Sequence, residues 1–120
     1  MNGLVRLTIG VMLLTSAAVP TLADDAVVAG QVLVQMYCTD RHATEMTGES
    51  PLAIAPRFRD LHLRYDVEHL AEALVEGIVT AHPEMPPFEF DPDQASAIIA
   101  YLKTLQPAHA GSSLPSNTKD

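Results

Sequence analysis

The residues best equipped for chemistry are Cys38, His42 and Met85. Cys38 and His42 bracket the pentapeptide Cys38-Thr39-Asp40-Arg41-His42, and Met85 follows His42 by 43 residues, inside His82-Pro83-Glu84-Met85-Pro86-Pro87-Phe88. Thiolate, imidazole and thioether are soft to borderline donors that suit iron or copper better than magnesium or calcium. Imidazole and thioether are also the axial ligands of low-spin electron-transfer haem, a pairing that leaves no coordination position for a substrate. Taken singly, each residue has a plainer reading: a lone cysteine is often a small buried hydrophobe, and a lone histidine is often structural.

The pentapeptide has the form of a haem-attachment motif, Cys-x-x-Cys-His, with Arg41 in place of the second cysteine. Two cysteines would clamp both vinyl groups of the porphyrin while the histidine reaches the iron; here one thioether is available, from Cys38, and haem held non-covalently is the alternative. A guanidinium cannot form that bond and is costly to bury unpaired, so Arg41 is expected to reach toward solvent at the macrocycle edge or to displace it.

Three helices are expected to position these residues. Asp24 to Tyr37 reads as a helix, although Val32-Leu33-Val34 is β-branched enough to allow a strand. From Cys38 to about Asp60, the Thr, Gly, Ser and Pro content predicts a long loop, and a loop of that length usually wraps something. Asp66 is a suitable N-cap for a helix carrying Val67, Leu70, Leu74 and Ile78, with Gly77 near its end. Pro83, Pro86 and Pro87 make the Met85 segment extended and rigid. Asp91 caps a final helix with Pro92 at its first position, an apolar stripe of Ala95, Ile98, Ile99, Leu102 and Leu105, and Pro107 as its stop. Domain boundaries follow: 1–23 a signal segment, 24–106 one domain, 107–120 a tail without periodic apolar signal and expected to be disordered.

Residues 1–23 read as a secretory signal: Arg6, then an apolar Leu7 to Val19, then Thr21-Leu22-Ala23 as a small-residue cleavage site. The apolar run is short for a membrane span, so cleavage before Asp24 and a periplasmic protein with no span in its mature chain are expected. With Arg6 removed, the formal charge goes from −8 to −9. That balance excludes a nucleic-acid binder, which needs basic patches, and suits a partner with a basic docking face. One cysteine in an oxidising compartment cannot form an internal disulfide, so Cys38 needs another explanation, and a thioether to haem supplies one.

From about Ala29 to Leu105 the chain resembles the small bacterial class I cytochromes c. The resemblance rests on Gly30 eight residues before Cys38, Cys38-Thr39-Asp40-Arg41-His42, Ala55-Pro56-Arg57-Phe58, Glu76-Gly77-Ile78, His82-Pro83-Glu84-Met85-Pro86 and Ala100-Tyr101-Leu102. It implies an all-α fold of three to four helices with long haem-wrapping loops, in which the first helix crosses closely over the last where Gly30 meets Tyr101. It further implies His42 as proximal and Met85 as distal iron ligand, Cys38 as thioether donor, and the Pro56 carbonyl as acceptor from the outer imidazole N–H of His42. The implied function is electron transfer with a redox protein partner, not enzymatic turnover.

The remaining candidates are Arg57, Arg59, Arg64 and Tyr65, which either hydrogen-bond haem propionates or form a solvated face. His82 is an alternative iron ligand; His62, His69 and His109 have no site-like spacing, and Met36 and Met46 read as packing or loop residues. Two rivals remain: a haem-free copper module using Cys38, His42, His82 and Met85, and a degenerate subunit that binds no metal.

Overall fold

The computed structural model describes residues 17–77 and 85–108. Among them the architecture is all-α: helix α1 (Leu22–Tyr37), 3-10 segments at Phe58–Leu63 and Val67–His69, helix α2 (Leu70–Glu76) and helix α3 (Pro92–Leu105).

Helix α1 starts two residues before the position expected from sequence. Thr21 and Asp24 form a capping box, each side chain accepting the other's backbone N–H, which satisfies donors that a helix start would otherwise leave bare. The box straddles the cleavage point expected after Ala23, and residues 1–16 lie outside the described residues. The β-branched run 32–34 is helical because Val27, Gly30, Val34 and Cys38 recur every three to four residues on one face, and that face packs on α3. Val34 is fully buried.

The crossing of α1 over α3 depends on Gly30. A Cβ there would stand 1.8 Å from the Ala97 carbonyl oxygen and 3.0 Å from the Tyr101 Cβ, so only a residue without a side chain lets the two backbones touch. Helix α3 follows its sequence signals closely: Asp91 and Gln94 form a capping box, Pro92 opens the first turn, and Ala95, Ile98, Ile99, Leu102 and Leu105 are buried. Tyr101 is buried too, its hydroxyl donating to the Thr44 carbonyl at 2.7 Å.

The stretch from Asp66 departs from the single helix expected there. The Asp66 side chain does accept from a backbone N–H, that of Glu68, but the first turn is 3-10 and the α-helix begins only at Leu70. Val67 in the 3-10 turn and Leu74 in the α-helix are both buried, so both segments turn apolar residues to the core. Gly77 ends α2 at φ +90°, in the left-handed region where glycine alone is unstrained; Ile78 lies outside the described residues. The Phe90 N–H donates to the Leu74 carbonyl and brings the chain back to the end of α2. Pro107 and Ala108 follow α3, and the rest of the expected tail lies outside the described residues. No helix among the described residues is long and apolar enough to cross a membrane.

Candidate functional site

Cys38 terminates α1, its N–H bonded to the Val34 carbonyl at 2.9 Å. The chain then turns back on it: the N–H groups of Arg41 and His42 both point to the Cys38 carbonyl, at 3.1 and 2.9 Å. The pentapeptide is therefore one tight turn that places Cys38 and His42 side by side. The Cys38 side chain packs against the apolar core, and burial pushes its thiol up to about 11. A thiol in that environment is kept protonated and behaves as a small hydrophobe.

His42 is held from two sides. Its Nδ1 lies 2.8 Å from the carbonyl oxygen of Pro56. A carbonyl only accepts, so Nδ1 carries the proton and Nε2 is the basic nitrogen, the tautomer that can ligate a metal. The ring also packs on Phe58, centroids 4.7 Å apart. Backbone bonds stitch both neighbours of this pair together: the Phe58 N–H donates to the Ala43 carbonyl at 2.9 Å, and the Ala43 N–H donates to the Ser50 hydroxyl at 3.0 Å. The loop is closed further by Leu52 N–H donating to the Arg41 carbonyl. Arg41 itself is half-buried.

Met85 is half-buried at the head of an extended stretch that carries Phe88 and Phe90 into the core. There Tyr37, the residue before Cys38, meets both rings edge-on, at 5.5 and 5.4 Å. The segment bearing Met85 and the turn bearing Cys38 thus share one aromatic cluster. His82, the alternative ligand, lies outside the described residues, as do Pro83 and Glu84. Among the described residues, no three His, Cys, Asp or Glu side chains converge as a metal-binding group.

Two of the three arginines considered for propionates, Arg57 and Arg59, are engaged within the chain. Arg57 bonds Asp60 at 2.6 Å and Glu49 at 3.0 Å, contacts that raise its pKa through the Asp60 hydrogen bond first and that of Glu49 second. Arg59 reaches the carbonyls of Gly48 and Glu45, at 2.7 and 3.3 Å, and so pins the loop that follows His42. Arg64 and Tyr65 are exposed.

Two features had no sequence signal assigned to them. The segment Phe58–Leu63 is 3-10 rather than open loop. Gln106, at the end of α3, ties that segment down: its amide donates to the carbonyls of Phe58 and Leu102, and its Oε1 accepts from the His62 backbone N–H at 3.0 Å. The His62 ring Nδ1 turns to the same oxygen, which gives His62 a structural partner.

The arrangement offers a basic imidazole nitrogen fixed in orientation, a neighbouring thiol and, from a separate segment, a thioether. Imidazole nitrogen and thioether sulfur are the donor types that an iron porphyrin takes as axial ligands. Compared with protein-family models, with curated proteins and with solved structures, the chain finds no match in any of the three.

Proposed function

We propose that the chain is a periplasmic electron-transfer domain of the cytochrome c type, with haem iron held by His42 and Met85 and Cys38 as its one thioether donor. The observation that carries this reading is the Pro56 carbonyl on His42 Nδ1, because it sets the tautomer and aim of a ligand imidazole. The contact of α1 with α3 at Gly30 and Tyr101 supports it, being the helix crossing that the resemblance implies.

When bound, the haem supplies an iron that cycles between two oxidation states. His42 and Met85 would hold that iron and raise its reduction potential, and Phe58, packed on the His42 ring, would disfavour the more highly charged oxidised centre. Arg41 offers no sulfur, so one vinyl would stay unbonded. With a formal charge of −8 over the full sequence, and −9 after the expected cleavage removes Arg6, the chain suits a redox partner with a basic face, through a small and salt-sensitive contact.

The test is purification from a host that matures c-type cytochromes, followed by absorption and alkaline pyridine spectra and intact mass. A red protein carrying one haem, with one vinyl still unsaturated, is the expected result. Arg41→Cys is expected to raise covalent loading in the same host. A folded colourless protein, or one that retains copper and no haem, overturns the proposal.

A further inference from the structure

A cleft of about 490 Å³ lies between the loop 49–57 and the 3-10 segment Phe58–Leu63, a size suited to a small ligand. None of Cys38, His42 and Met85 lines it, whereas Pro56, which holds His42, and Arg64, a propionate candidate, do. Pro56 forms part of its wall.

The apolar lining is Ala53, Ile54, Ala55, Pro56 and Leu63. Ile54 and Leu63 are 67 % and 74 % exposed, two large apolar side chains left in water at one mouth, which an apolar ligand body would cover. The rim carries Glu49, Asp60, Arg57 and Arg64. Both carboxylates are already held: Asp60 by Arg57 at 2.6 Å, and Glu49 by Arg57 at 3.0 Å and Arg59 at 3.8 Å. Arg59 stands outside the lining, so the four charged residues that line the cleft, Glu49, Asp60, Arg57 and Arg64, sum to zero. Arg64 makes no ion pair among the described residues, so it is the lining cation that no carboxylate engages. On a chain of formal charge −8, a lining that sums to zero and carries one guanidinium outside any ion pair receives an anion better than the acidic surface around it.

We propose that this cleft binds a small amphipathic monocarboxylate, its carboxylate on Arg64 and its apolar body over Ile54, Pro56 and Leu63. A guanidinium fork matches a carboxylate in geometry, and one unpaired cation matches one negative charge. The Ser50 hydroxyl on the same wall is a further polar group for the head of the ligand.

Octanoate is the probe, below its micelle concentration, with octylammonium as the control of equal chain length and opposite charge. In methyl-resolved NMR of the full chain, octanoate is expected to shift the Ile54 and Leu63 methyls saturably, and octylammonium is not. Arg64→Glu is expected to weaken octanoate at least tenfold. Leu63→Asp, at an exposed position outside the core, is the second variant and is expected to weaken it by at least the same factor. Equal shifts with octylammonium, shifts that never saturate, or unchanged affinity in the two variants would overturn the site.

Discussion

Cys38 illustrates how much one side chain's surroundings decide. Burial lifts its thiol from the ordinary value of 9.0 to about 11, so at neutral pH it is protonated and a poor nucleophile. In the thiol form this links to stability with a definite sign. Below about pH 9 folded and unfolded chains both carry the proton, and the contribution is fully present. Between about 9 and 11 the unfolded thiol ionises and the folded one does not, so stability falls as pH rises, by roughly 2 kcal/mol over the window. Urea midpoints at pH 8 and 10.5, compared with Cys38→Ala, check it: the variant is expected to lack that part of the decline. A chain whose Cys38 sulfur is bonded in a thioether has no such proton to lose, and would match the variant. At the same scale, His42 was legible as a candidate from its spacing, and Pro56 from the resemblance. The engagement of Arg57 and Arg59 with Glu49, Asp60 and the loop carbonyls was not legible, since ion pairs between loop residues leave no periodic trace in the sequence.

Among the elements, the α1–α3 crossing has the least tolerance. In Gly30→Ala the new methyl would lie 1.8 Å from a backbone oxygen, which cannot rotate away as a side chain would. The helices must separate, at a cost of about 3 kcal/mol; a lower urea midpoint is expected, and an unchanged one would mean the helices do not meet there. Element legibility tracked the strength of local signals. Helix α3 could be placed to the residue because Asp91-Pro92 opens it and Pro107 follows it closely. The start of α1 could not, because its capping residue Thr21 sits on the far side of an expected cleavage point. The stretch after Asp66 reads as one helix from its apolar spacing, yet its first turn is 3-10, with Val67 there and Leu74 in the α-helix both turned to the core.

At the scale of the molecule, the loop region 38–65 is held by the far end of the chain. Tyr101 donates to Thr44 and Gln106 clasps Phe58 and His62, bonds spanning 44 to 57 residues. Gln106→Ala removes the clasp and leaves the Phe58 carbonyl and His62 N–H without it. The expected cost is about 2 kcal/mol, with faster amide exchange at His62 than at the centre of α3. Equal protection of His62 in both proteins would remove Gln106 from this role. Sequence reasoning missed it because a glutamine at a helix end carries no pattern; its partners are chosen by the fold.

The reach of those two side chains also sets an order of events. A polypeptide is made, and would be exported, from its first residue onward, so the turn at position 42 emerges well before the hydroxyl at 101 and the amide at 106. Until nearly the last of the domain has arrived, that turn has no clasp, and any large prosthetic group installed there meets an open chain rather than a finished pocket.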